Sequence, residues 1–252
     1  MARERIDTLL VMRGLVESRA RAQARVLAGD VVVDDHRVDK PGTRVGVSAI
    51  IRLKGDGIPW VSRGGVKLAG ALQAFAVDVT DAICVDVGAS TGGFTDVLLS
   101  RGAKSVYAID VGWGQLHSRL VQDPRVKNLE RTHIGRLDIG ALQPAPTIGV
   151  LDVSFISLRQ VLPALDRHLA PVCTIVALIK PQFEVGRVHV GKGGIVRDVV
   201  ARDAAVSDVV AAAISLGWHH EGTMPSPIEG ADGNVEFLAC FRRHGGPACA
   251  PS

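Results

Sequence analysis

The sequence predicts an α/β fold in which an open, doubly wound sheet follows a small α+β unit. Three observations carry that prediction. Short apolar runs at residues 83–87, 105–109, 147–151 and 172–179 each lead into a stretch of helical period, such as 94–99 and 158–169, and this alternation builds a parallel sheet covered on both faces. A glycine-rich stretch, Gly88 to Gly93, follows the first of those runs. Charge is also divided unevenly: residues 1–67 carry 13 Lys and Arg against 8 Asp and Glu, a balance of +5, and the remainder 16 against 18, a balance of −2. The net charge of +3 says little about partners. Its division points to a basic N-terminal module suited to a polyanion.

Taken in order, Ile6, Leu9 and Leu10 fall at helical spacing and Gly14 supplies a left-handed stop. A second helix starts from Ser18 as N-cap, with Ala20, Ala24 and Leu27 as its apolar stripe, and ends at Gly29. Arg21 and Arg25 stand one turn apart on another face, placed to meet phosphates. Val31 to Val33 and Arg37-Val38 flank Asp34-Asp35 as a hairpin, and Ile50 to Leu53 reads as a further strand. Glycine and proline punctuate residues 54–59, where the domain boundary is expected. Near the end come a helix over 198–216, a strand over 218–224 and a last strand over 235–241 that holds Glu236. A Gly/Pro/Ala tail follows Arg243.

No run approaches the roughly 18 apolar residues of a spanning helix, and residues 1–5 lead into no signal-peptide core. A cytoplasmic protein with no membrane partner is expected. Cys84, Cys173, Cys240 and Cys249 form no C-x-x-C pair, so neither a disulfide framework nor a zinc site is suggested, and Cys84 and Cys173 read as buried thiols.

The chemistry gathers at the predicted strand ends. The stretch from Asp86 to Thr95, DVGASTGGFT, is a strand, glycine loop and helix start, the turn at which open α/β sheets bind ligands. The next strand ends at Asp110, where a carboxylate accepts both ribose hydroxyls of a nucleoside. The glycine spacing is neither G-x-G-x-x-G nor G-x-x-x-x-G-K-[ST], which disfavours a dinucleotide or a nucleoside triphosphate. Residues 88–92 also satisfy G-x-S-x-G, so a hydrolase using Ser90 with Asp152 and His189, His219 or His220 is a competing reading. Against it, no HGGG-type stretch lies upstream and Asp86 sets a charge beside the oxyanion site. Asp152 and Lys180 close two neighbouring strands and therefore face one crevice. Lys67 precedes the whole sheet.

These residues resemble the TlyA-type ribosomal RNA 2′-O-methyltransferases, historically labelled hemolysins, over nearly the whole chain to about Arg243. Residues 5–33 are similar to the S4 RNA-binding module. The rest is similar to FtsJ-like, S-adenosylmethionine-dependent methyltransferases through 62–68 (SRGGVKL), 86–95, 110–116 (DVGWGQL), 152–158 (DVSFISL), 180–184 (KPQFE) and 233–236 (GNVE). The resemblance implies a Rossmann-like methyltransferase domain over 62–243, an S4-like domain over 1–57, a linker at 58–61 and a flexible tail over 244–252. It implies a catalytic tetrad of Lys67, Asp152, Lys180 and Glu236. Cofactor contacts are expected from Asp86, Gly88, Ala89, Ser90, Gly92, Gly93, Phe94, Thr95, Asp110 and Val111, with adenine near Asp138. RNA contacts are expected from Arg3, Arg5, Arg19, Arg21, Arg25 and Arg63. The reaction so implied is methylation of a cytidine 2′-OH in ribosomal RNA, within ribosomal subunits, by a monomer or weak dimer that needs no metal.

A ribose hydroxyl is a poor nucleophile until its proton is taken, and Lys180 is the expected base. The positive charges of the cofactor and of Lys67 favour its neutral form, while Asp152 and Glu236 hold the ammonium groups. The glycine-rich segment 186–194 reads as a loop that closes on RNA or as a plain surface connection. Two departures stand out. The family's Arg-x-Trp-Val linker reads Ile58-Pro59-Trp60-Val61 here, and the chain stops soon after Phe241, which favours the large subunit over the small as substrate.

Overall fold

The computed structural model describes residues 3–34, 36–53, 58–230 and 233–244. Asp35 of the expected hairpin, 54–57 of the expected boundary, Cys249 and the tail from 245 lie outside them. The chain forms two compact units, 1–59 and 60–252.

In the first unit, β1 (Arg3–Arg5) runs directly into α1 (Ile6–Met12), followed by α2 (Arg19–Leu27), β2 (Val31–Val33), β3 (His36–Val38), β4 (Arg44–Gly46) and β5 (Ile51–Leu53). β1 pairs antiparallel with β4, and β2 lies between β3 and β5 in an antiparallel sheet. Ser18 caps α2 by accepting from the Arg21 amide, and Gly29 takes φ +76° after it. The buried stripe of α2 is Ala22 and Val26 rather than the expected Ala20, Ala24 and Leu27, whose Leu27 is 68% exposed. The helix is turned so that these two residues meet Ile6, Leu9 and Leu10 in the core. That rotation is fixed by Asp7, a fully buried carboxylate accepting from Arg5 (Nε 3.0 Å, Nη2 2.9 Å), Arg19 Nε (3.1 Å) and Gln23 Nε2 (3.0 Å). The Arg5 guanidinium, joined by Gln23 and Arg19, holds this carboxyl well below the usual carboxylate range.

The second unit contains α3 (Gly64–Ala74), β6 (Ile83–Val87), α4 (Gly93–Ser100), β7 (Ser105–Ile109), α5 (Ser118–Val121), β8 (Val126–Leu129), β9 (Ile148–Leu151), α6 (Leu158–Asp166), β10 (Cys173–Ile179), α7 (Pro181–Glu184), α8 (Val199–Ser215), β11 (His219–Pro225) and β12 (Phe237–Arg243). The seven strands are ordered β11-β12-β10-β9-β6-β7-β8. From β10 to β8 every pairing is parallel, whereas β12 runs antiparallel to both β10 and β11. Successive residues of β6 feed opposite cores, Cys84 joining Leu68, Val97 and Leu98 on one face and Val85 joining Leu162, Leu165 and Val209 on the other. The chain leaves β6 toward β7 and β8 and then returns to β9 on its other side. The carboxyl ends of β6 and β9 thus flank the switch point where such sheets bind ligands.

Trp60 and Val61 of the expected linker are built into this unit. The Val61 amide donates to Asp96 (2.8 Å), and the Trp60 side chain covers Gly65, where an added Cβ would meet it at 2.6 Å. Two expectations need correction. The sheet is not wholly parallel, because a closing β-hairpin ends it. Glu236 is not inside the last strand, which begins at Phe237. No described helix is long and apolar enough to cross a membrane.

Candidate active site

The loop from β6 to α4 is shaped by left-handed residues: Gly88 (φ +86°), Ser90 (+47°) and Gly92 (+93°). At Gly88 a Cβ would lie 2.4 Å from the Asp152 carbonyl oxygen, so glycine lets this loop lie against the end of β9. Asp86, at the end of β6, ties the loop beneath. Its Oδ2 accepts from the Thr95 amide (2.9 Å) and the Thr95 hydroxyl (2.6 Å). Burial pushes Asp86 up to about 7, with Asp152 and Asp110 adding to the rise and the Thr95 bonds opposing it. Its protonated form is therefore the one the fold favours. The stabilisation is complete below pH 4 and is lost as pH rises toward 7, at no more than about 1.4 kcal/mol per pH unit. Asp86→Asn should remove this component, visible as a flatter dependence of the denaturation midpoint between pH 4 and 7.

Two cavities meet at this loop. The larger, about 590 Å³, takes in Arg63, Lys67, Asp152, Lys180 and Glu236. The smaller, about 440 Å³, is walled by Val87, Ile109, Val111 and Ile134, with Asp110 in its lining. Gly88, Ser90, Asp152, Ser154 and Phe155 line both. Asp110 is held by the Ser90 amide on Oδ2 (2.8 Å) and the Gly112 amide on Oδ1 (2.7 Å). Each oxygen keeps a further lone pair for a hydroxyl. A glycine cradle, apolar walls and a backbone-fixed carboxylate suit an adenosine-bearing cofactor.

The four expected catalytic charges come together as two ion pairs. Lys67, on the first turns of α3, places Nζ 2.5 Å from Glu236 Oε2, with both residues buried. Lys180, at the end of β10, places Nζ 2.7 Å from Asp152 Oδ1, after β9, and donates to the Ser154 hydroxyl at 2.8 Å. The antiparallel β12 explains how Glu236 arrives. Phe237 pairs with Ile179, so the residue before β12 stands beside the one after β10. Gly230 leaves room for that carboxylate, since a Cβ there would lie 2.6 Å from Glu236 Oε1.

Among the other expected cofactor residues, Ala89, Gly93 and Phe94 line the larger cavity, while Gly92 and Thr95 lie in the loop and helix start without lining either. Asp138 is exposed and lines neither cavity; the nearby wall is formed by 132–134. Arg63 reaches the larger cavity. In the first unit Arg3 donates to the Arg44 carbonyl (2.7 Å), Arg5 and Arg19 pair with Asp7, Arg21 lies 4.0 Å from Glu17 and Arg25 3.4 Å from Asp30. The 186–194 segment contains a single 3-10 turn and is anchored by buried Asn234, which donates to the Gly194 carbonyl (2.9 Å) and accepts from the Val196 amide (3.0 Å). Sequence reasoning missed Ser154, Phe155 and Phe183. Phe155 is 92% exposed at φ +65°, its ring 5.1 Å from that of Phe183.

The FtsJ-like methyltransferase family matches residues 60–243 and the S4 domain residues 4–51. The chain is 47% identical, over 95% of its length and 90% of the relative's, to the 16S/23S rRNA (cytidine-2′-O)-methyltransferase TlyA of Mycobacterium tuberculosis. It is 40% identical to hemolysin A of Brachyspira hyodysenteriae, over 94% of this chain and 99% of that one. A solved structure labelled a hemolysin, from Streptococcus thermophilus, superposes with a TM-score of 0.77 at 44% identity, covering 98% of this chain and 90% of the other. With its glycine loop, its paired charges and its N-terminal S4 domain, the chain belongs to the TlyA and hemolysin A family of FtsJ-like methyltransferases.

Proposed function

We propose that this protein transfers a methyl group from S-adenosylmethionine to the ribose 2′-OH of a cytidine in ribosomal RNA. The observation that carries the reading is the pair of Lys–carboxylate contacts in a cavity that opens onto the glycine loop and Asp110. When bound, S-adenosylmethionine supplies an electrophilic methyl group whose transfer to oxygen leaves S-adenosylhomocysteine. Gly88, Ala89, Ser90, Gly93 and Phe94, with Asp110 and Val111, would hold it; Gly92, Thr95 and Asp86 shape the loop from beneath. Lys180 Nζ would take the proton of the 2′-OH and later give it to solvent. Asp152 balances the ammonium so formed. Lys67, neutralised by Glu236, borders the same space and orients the acceptor ribose. Fixing the acceptor 2′-oxygen beside Lys180 and the glycine loop would supply much of the acceleration.

The basic first unit anchors RNA through Arg3, Arg5, Arg19, Arg21 and Arg25, and Arg63 guides the strand into the cavity. In this reading residues 1–57 are the RNA anchor and 62–243 the methyltransferase domain, working on ribosomal subunits in the cytoplasm as a monomer or weak dimer. Exposed Phe155, backed by Phe183, receives the unstacked base. Phe155→Ala should raise KM for the RNA by roughly 5- to 100-fold, the range of one base–aromatic stack, with S-adenosylhomocysteine affinity within twofold, as read by steady-state kinetics and calorimetry.

The test is incubation with labelled S-adenosylmethionine and unmodified large or small ribosomal subunits, followed by mapping of 2′-O-methyl sites. Methylated cytidine is expected. Absence of transfer to either subunit under conditions where the RNA binds would sink the reading. The hydrolase alternative lacks its base: among the described residues no hydrogen bond joins Ser90 to a histidine, and the Ser90 amide is committed to Asp110.

A further inference from the structure

Lys180 is held by two neighbours of different kinds. Asp152 Oδ1 lies 2.7 Å from its Nζ, yet that carboxylate oxygen, although buried, completes no hydrogen bond. The approach is close but not aligned, so Asp152 attracts the amine by charge without fixing its rotation about the Cε–Nζ bond. The directed bond goes to the Ser154 hydroxyl, at 2.8 Å. Among the described residues it is the one hydrogen bond that Lys180 Nζ donates. Ser154 also lines both cavities, at the seam where they join.

A neutral amine has two N–H bonds and one lone pair in a tetrahedral arrangement, so directing one N–H sets the cone on which the lone pair lies. Both neighbours belong to the loop after β9, and Lys180 itself lines only the larger cavity. We infer that Ser154 is a positioning residue that aims the Lys180 lone pair at the acceptor hydroxyl, dividing labour with Asp152, which supplies charge. The inference rests on the methyltransferase reading and on Lys180 as its base.

Ser154→Ala removes the directing oxygen and leaves Asp152 in place. The expected result is a kcat lower by about 10- to 100-fold, the scale of misaligning a reacting group, with KM for ribosomal subunits and the dissociation constant of S-adenosylhomocysteine within twofold. Ser154→Thr, which keeps the hydroxyl, should recover most of the loss. In the Lys180→Ala background the same serine substitution should cost nothing further, because the two act as a unit. In 15N-lysine-labelled protein without substrate, the Lys180 side-chain protons should exchange with water faster in Ser154→Ala, while those of Lys67 keep their wild-type rate. A kcat retained within twofold in Ser154→Ala overturns the inference. So does a parallel loss of S-adenosylhomocysteine affinity, which would make Ser154 a cofactor ligand, or a full further loss in the Lys180→Ala background. Failure of the unaltered protein to transfer methyl groups overturns the methyltransferase reading itself and is seen before any variant is made.

Discussion

Lys180→Ala should lower methyl transfer by about 10³-fold or more, near the upper end of what a positioned base contributes, while binding of S-adenosylhomocysteine changes little. The separation follows from geometry. Asp110 lines only the smaller cavity, with Gly88 and Ser90 shared between the two, whereas Lys180 lines only the larger. Asp152 would then lose its cation and stand beside the space meant for the acceptor, which adds repulsion toward RNA phosphate to the loss of the base. Lys180→Arg should be nearly as inactive despite keeping the charge, because a guanidinium does not give up its proton in this range. Single-turnover rates with saturating cofactor, set beside calorimetric titration of S-adenosylhomocysteine, check both halves. Near-normal turnover in either variant would remove Lys180 as the base.

Glu236→Ala should cost stability as well as activity. Its partner Lys67 is 8% exposed and Glu236 itself 3%, so truncating the carboxylate strands a buried ammonium. Breaking one partner of a buried pair costs about 3–5 kcal/mol, or roughly 6–20 °C in Tm for a domain of this size. Replacing both partners with apolar residues, Lys67→Met with Glu236→Leu, should restore much of the thermal midpoint without restoring methylation. That contrast separates a pair kept for chemistry from one kept for stability. A double variant that regained activity would show that the pair is dispensable to the reaction.

The parallel core was legible because β6, β7, β9 and β10 are apolar on both faces, and α8 because its helical period runs unbroken over 17 residues. Other elements left weaker marks. α3 begins with Gly64-Gly65, which reads as loop until the Trp60 side chain is seen to demand a residue without a Cβ at 65. β8 is four residues long with exposed Lys127 and Asn128, as an edge strand allows. The face of α2 was misassigned because Asp7, a single polar residue on another helix, sets its rotation. At the site, motif order delivered the four charges but not which lysine meets which carboxylate. That pairing depends on the direction of β12, and apolar patterning is silent about direction. Ser154 and Phe155 lie in a loop with no period, where only coordinates reveal that one touches Lys180 and the other faces solvent.

The hairpin that ends the sheet also sets a timetable. β11 precedes β12 in the chain yet pairs only with it, and β12 alone joins β10, so neither can dock until both have been synthesised. The Lys67–Glu236 contact spans 169 residues, and closing so long a loop comes late in folding. A nascent chain that has already made its glycine loop, Asp110, Asp152 and Lys180 still has an uncompensated Lys67 and an open sheet edge at β10. In the proposed mechanism the Lys67–Glu236 pair is thereby the part of the site that waits for completion of the domain.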